Sequence, residues 1–162
     1  MSAQTSDQIS RVLLLAPVIF VCHFLEESPT FVEWFNSHVT RGISLGLFWR
    51  VNLSALVVTL TVVGIEWLFR CAFSMTLAVG WFAFLMFANA IFHIAAGLVG
   101  GRYVPGLVTA VVLYIPYYLW LFVKAVKSER VNVSVLFGSA VLGSMPMLMH
   151  GYLIVFRGDR LF

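Results

Sequence analysis

Apolar residues run along this chain in long unbroken stretches, not at the period of 2 or 3.6 that marks a half-buried strand or surface helix. Each stretch is close to the ~20 residues a helix needs to cross a bilayer. The first spans about 10–27 and is stopped by Pro29, whose ring disfavours a helical residue before it. The second spans about 43–68, with Arg50 and Asn52 near its start and Glu66 near its end. The third, about 72–99, carries no charge and stops at Gly100-Gly101. The fourth, about 103–123, contains Pro116, and the fifth, about 131–156, contains Pro146; a proline inside a helix predicts a kink. Between the first two stretches, Phe31, Trp34, Phe35 and His38 fall at helical spacing with polar residues opposite. That predicts a short interfacial helix at headgroup level. The fold expected is all-α: a polytopic membrane helix bundle, one integral membrane domain over 1–162, with about five transmembrane helices plus the interfacial one.

Composition supports the membrane class. Of 162 residues, 61% are hydrophobic and 10% charged, against about 45–50% apolar and about 25% charged in soluble domains. A soluble fold of this length could not hide so much apolar surface, whereas lipid can. There is no internal repeat, and no Gly-rich phosphate loop, nucleophile elbow or CxxC motif. The net charge of +3 is scattered between the apolar runs, as in membrane loops, so no nucleic-acid partner is expected. The ten Lys and Arg split five to five between the two sides; the cluster Lys124-Lys127-Arg130 favours a cytoplasmic N-terminus. The polar start MSAQTSD lacks a basic region, so the first run is expected to be a retained helix, not a signal peptide. Cys22 and Cys71 lie in or beside apolar runs and are expected to be inert buried thiols without a disulfide.

Depth then gathers the polar residues. Successive helices alternate direction, so the ends of the first, third and fifth share a membrane face with the start of the second. His93 and His150 each lie six residues before their helix ends, roughly 9 Å down at about 1.5 Å per residue. His23 lies at a similar depth. Glu26 and Glu27 follow it at i+3 and i+4, on one helical face, and Asn89 is i−4 from His93. Arg50 and Asn52 enter the same layer, with Arg102 and Tyr103 on its rim. Polar groups in a bilayer are costly and usually face the bundle interior with partners, so this layer suggests a shared cavity. Imidazole and carboxylate are normal ligands of zinc and non-haem iron. His23, His93 and His150 could supply three ligands, with Glu27 completing the set. Only two carboxylates are at hand, so one metal is simpler than a di-iron site.

His23-Phe24-Leu25-Glu26-Glu27, closing the first helix, resembles the defining motif of the HXXEE family of bacterial integral membrane proteins. The resemblance implies a bacterial inner (cytoplasmic) membrane, multi-pass location and adds weight to His23, Glu26 and Glu27. It brings no substrate with it.

The leading expectation is an enzyme. Zinc, with iron as its rival, is held by His23, His93, His150 and Glu27; Glu26 or Glu27 is the general acid/base; Asn89 and Arg50 orient a polar head. The substrate partner is a lipid or another apolar small molecule drawn from the surrounding membrane lipids. Hydrolysis by metal-activated water comes first, isomerisation or cyclisation second. The competing class is a metal-ion or proton binding or transport protein using the same cluster. A homo-oligomer is admitted, not required. Elsewhere His38 is expected at the interface, Glu66 in a local pair with Arg70 at i+4, and Asp159 and Arg160 in a solvated tail. Ala96-xxx-Gly100 and Gly97-xxx-Gly101 are expected to be helix-packing contacts.

Overall fold

The computed structural model of the chain describes Ile9 and residues 11–161, and these form helices and loops without a strand. In chain order come α1 (Leu15–Glu27), the short α2 (Phe31–Asn36), and then α3 (Leu45–Phe69), α4 (Ala72–Gly100), α5 (Leu107–Lys127) and α6 (Val133–Arg157). Four of them, α3 to α6, are long and apolar enough to cross a membrane, where about five were expected. The difference is α1. Its 13 residues rise about 20 Å at about 1.5 Å each, short of the ~30 Å hydrocarbon core. Residues 11–13 are helical too, ahead of a turn at Leu14; the expected start at Ser10 lies outside the described residues.

Helix α4 is the axis of the bundle. Half of its membrane window is buried, against 22%, 28% and 11% for α3, α5 and α6, and it packs on all three. Helix α6 lies chiefly along α4, and α1 rests on α3 and the start of α5. The tight approach of α4 to α6 falls at Gly80 and Gly143, where an added Cβ on Gly143 would sit 2.2 Å from the Gly80 carbonyl oxygen. Close backbone contact through small residues is how helices associate in lipid. The pairs between 96 and 101 lie instead at the end of α4, where Gly97 faces Leu107 and Arg102 of the next segment.

Helix α5 begins at Leu107 instead of about 103, because Val104-Pro105-Gly106-Leu107 forms a type II turn. Leu107 N–H donates to the Val104 carbonyl at 3.0 Å, and Gly106 has φ 92°; proline second and a positive-φ glycine third are what this turn requires. Three spans carry stretches of i→i+5 (π-helical) bonding: 83–88 in α4, 110–114 in α5 and 153–157 in α6. The one in α5 immediately precedes Pro116, where the sequence predicts a kink.

At the opposite end of the bundle, Glu66 is fully buried. It forms an ion pair with Arg130 from the α5–α6 loop and accepts a hydrogen bond from Ser74 Oγ at 2.5 Å. Arg130 was not foreseen as its partner. Arg70, the residue expected to pair locally, takes the left-handed C-cap of α3 at φ 47° and donates from Nε to the Trp67 carbonyl. Cys22 and Cys71 are unbridged, and both are exposed instead of buried.

Candidate metal centre

Helical geometry puts His23 and Glu27 on one face of α1, and α4 presents His93 to that face. One ligand atom from each of the three lies within 4.8 Å of the other two. Glu27 Oε1 is central, 3.1 Å from His93 Nε2 and 3.5 Å from His23 Nε2. Donors at about 2.0–2.1 Å from a tetrahedral metal stand about 3.4 Å from each other, and the two spacings to Glu27 fall close to that. All three side chains are buried, His93 completely.

The hydrogen bonds fix where the lone pairs point. Thr109 Oγ1 donates to the Gly106 carbonyl, so it can accept from His23 Nδ1, 2.8 Å away. His23 then carries its proton on Nδ1 and turns the Nε2 lone pair toward Glu27. This is the arrangement in which an outer partner orients a metal-ligating imidazole. Neither ring nitrogen of His93 has an aligned hydrogen-bond partner. A fully buried imidazole without one is costly, and its Nε2, 3.1 Å from Glu27 Oε1, calls for a proton or a cation between the two. The residues therefore fit a divalent metal held by His23 Nε2, His93 Nε2 and Glu27. Asn89 Nδ2 donates to His23 Nε2 at 3.2 Å, a hydrogen bond that a metal bound at this nitrogen would replace.

The loop before α5 closes over this group. A Cβ on Gly106 would meet His93 Cε1 at 2.7 Å, His23 Cε1 at 2.9 Å and Glu27 Cγ at 3.0 Å. The Tyr114 ring lies against His23 with centroids 4.2 Å apart, its hydroxyl buried without a partner. Glu26 does different work. Its carboxylate accepts from Val108 N (3.1 Å), Thr109 N (2.8 Å) and the Tyr103 hydroxyl (2.6 Å), satisfying N–H groups that the first turn of α5 leaves open. Shelter at its hydroxyl end and the bond to Glu26 push the Tyr103 pKa up to about 12, so it stays a donor at neutral pH.

Beside the centre lies a cavity of about 210 Å³, walled by Phe20, Phe31, Phe35, Phe48, Leu85 and Ile154 among others. Its polar lining is Glu27, Asn52, Asn89, His150 and Arg160. Helix α2 thus helps roof the site, anchored by His38, which stacks on Trp34 and meets Arg102 Nη2 at 3.0 Å.

The structure brings together His23, Glu27, His93 and Asn89 from the expected layer. His150 is not in the ligand group: it lines the cavity from α6, and its Nδ1 accepts the Leu161 N–H at 3.1 Å. Glu26 is engaged with the start of α5, and Arg50 is exposed on α3, away from the cavity lining. Asn52 lines the cavity. Gly106, Thr109, Tyr114 and Arg160 were missed. Pro105-Gly106 was a legible turn signal; nothing in the sequence pattern marks the other three.

Residues 14–121 match the family described as "Protein of unknown function with HXXEE motif", and the chain belongs to that family. No curated protein and no solved structure matches it.

Proposed function

We propose that this member of the HXXEE family is an integral membrane metal-dependent enzyme acting on a lipid or another apolar small molecule. One observation carries the reading: His23, His93 and Glu27 converge at metal-ligand spacing, with His93 fully buried and without an aligned partner. Zinc is the metal we favour, with iron as the rival, since two imidazoles and a carboxylate suit both and leave a position open. When bound, such an ion supplies Lewis acidity for hydrolysis; the same His/Glu set without it would suit isomerisation or cyclisation.

The chain's own residues do the rest. Thr109 holds the His23 tautomer, Glu26 holds Thr109, and the Asn89 amide, which donates to His23 Nε2, would be released toward the cavity when that nitrogen takes the metal. The cavity next to Glu27 is apolar along most of its wall and takes the substrate's hydrocarbon part. The widened turns of α4 and α5 flank His93, Asn89 and Thr109, and π-type turns inside helices are frequent at functional sites. Helix α1 is read as a fifth, short membrane-inserted helix whose end carries the motif. A bacterial inner membrane is proposed from the resemblance alone. The transport reading is disfavoured by the core between the site and the Glu66–Arg130 pair, where Met75, Val79, Phe82, Met86 and Leu121 are buried and no polar path is evident among the described residues.

The test is metal analysis of protein purified without chelators. About one zinc or iron per chain is expected, lost in His93→Ala. A wild-type chain that is metal-free, and takes up neither ion on addition, removes the metal-dependent reading.

A further inference from the structure

The segment after α6 does not trail into solvent. Gly158, at φ 63°, turns the chain back. Its carbonyl accepts from Thr40 N at 2.9 Å, Asp159 pairs with Arg41 at 3.3 Å, and Leu161 N donates to His150 Nδ1 at 3.1 Å. These contacts place Arg160 in the lining of the cavity beside Glu27, Asn89 and His150. Asp159 Oδ1 is bonded to Arg41 and to the Arg160 backbone N–H. Among the described residues no carboxylate lies within ion-pair distance of the Arg160 guanidinium. Arg160 is partly buried in the lining of a largely apolar cavity, and its planar fork matches carboxylate or phosphate oxygens.

We propose that Arg160 is the head-group anchor of this cavity and that the substrate is an anionic amphiphile with a single hydrocarbon chain. This deepens the reading above, and rests on it for taking the cavity as the substrate site. The anion lies on Arg160, and the chain lies along Phe20, Phe31 and Phe48. The volume, about 210 Å³, falls below the ~300 Å³ at which drug-sized sites begin, which excludes a two-chain lipid held entirely inside. His150 Nδ1 is engaged by the Leu161 N–H, and an imidazole adds no competing anion to this wall. Glu27, the one carboxylate in the lining, is committed to the two histidines.

The experiment is calorimetric titration of the purified full chain, in neutral detergent, with dodecanoate, dodecyl phosphate, dodecanol and inorganic phosphate. Both anionic amphiphiles should bind, dodecanol should bind at least roughly tenfold more weakly, and inorganic phosphate should not compete. Arg160→Gln should weaken dodecanoate roughly tenfold to hundredfold. Arg160→Lys should recover part of the loss, and Arg157→Gln, exposed on the same segment, should change nothing. Folding is checked separately: Arg160→Gln should melt with wild type when no ligand is added, and dodecanoate should raise the melting temperature of wild type but not of Arg160→Gln. Equal binding of dodecanol, unchanged binding by Arg160→Gln, or an equal dodecanoate-induced shift in the two proteins overturns the proposal; competition by inorganic phosphate overturns the role of the chain. Metal content separates the two readings. Arg160→Gln should keep its metal, and a metal-free wild type that still binds dodecanoate through Arg160 would remove the metal while leaving the anchor.

Discussion

Gly106→Ala perturbs the centre without touching a proposed ligand. Two costs combine. Gly106 sits at φ 92°, where an L-residue costs about 1–2 kcal/mol. The new methyl carbon would also stand 2.7 Å from His93 Cε1, 2.9 Å from His23 Cε1 and 3.0 Å from Glu27 Cγ. Overpacking of that kind costs about 1–3 kcal/mol, because ring carbons on two buried helices cannot swing aside as a flexible chain end can. The sum is about 2–5 kcal/mol. Gly101→Ala supplies the control: its φ is 60°, and nothing lies within 4 Å of the added carbon, so it suffers the backbone cost alone. The difference between the variants, about 1–3 kcal/mol, isolates contact with the site. At about 2–4 °C per kcal/mol for a chain of this size, thermal unfolding in detergent should separate them measurably. Metal content should fall in Gly106→Ala and hold in Gly101→Ala. If Gly106→Ala melts with Gly101→Ala and keeps its metal, the 105–106 turn does not pack over the histidines, and the geometry argued for the centre is wrong.

Glu27→Gln should lower metal retention as His93→Ala does, measured by elemental analysis, because it removes the charge that faces both imidazoles. Glu66→Leu should destabilise the fold by about 3–5 kcal/mol, since it strands Arg130 in a buried site, yet leave the metal content of folded protein unchanged; loss of metal would show that the two ends of the bundle are coupled. Tyr103→Phe should reduce stability by about 0.5–1.5 kcal/mol. Since the Tyr103 pKa is raised to about 12 from its usual value near 10, wild type should lose this contribution as pH climbs through that window while Tyr103→Phe does not; parallel pH–stability curves would rule the bond out.

The spans were readable because lipid imposes a length: α3, α4 and α6 begin and end within two residues of the apolar runs. Depth was readable for the same reason, so His23 and His93 could be set in one layer by counting residues. Facing was not. His150 has the right depth, but α6 brings it to the cavity wall and not to the ligand atoms, and sequence carries no record of how a helix is turned about its axis. Arg160 and Asp159 look like a solvated tail by composition, and only the turn at Gly158 with its bonds to Thr40 and Arg41 returns them to the cavity. Glu66 found Arg130, distant in sequence, through tertiary packing that an i,i+4 rule cannot register. Helix α1 ends at Glu27 as the run predicts, and is divided from helical residues 11–13 only by a turn at Leu14 that an apolar run does not mark.

The motif itself becomes intelligible from the helix period. At 3.6 residues per turn, adjacent residues point about 100° apart, so Glu26 and Glu27 cannot serve the same partner. Glu27, at i+4, joins His23 at the centre. Glu26, at i+3, turns to the start of α5 and binds Thr109 N, while Thr109 Oγ1 holds His23 Nδ1. The loop His23–Glu26–Thr109–His23 is closed, so Glu26 acts on the centre as a positioning residue through Thr109. That predicts non-additivity. Thr109→Val alone should weaken metal affinity about 10–100-fold, the usual cost of losing an outer partner of a ligating histidine. Glu26→Gln alone should weaken it less, retaining about one metal per chain at saturation, because a carboxamide oxygen still accepts from Thr109 N. Once Thr109 has lost its hydroxyl, Glu26 has no route to the imidazole, and adding Glu26→Gln should change metal affinity little further while still lowering stability. A chelator-competition cycle over the four proteins measures this. Additive losses would show that Glu26 acts on the centre independently of Thr109, and would dissolve the division of labour between the two glutamates.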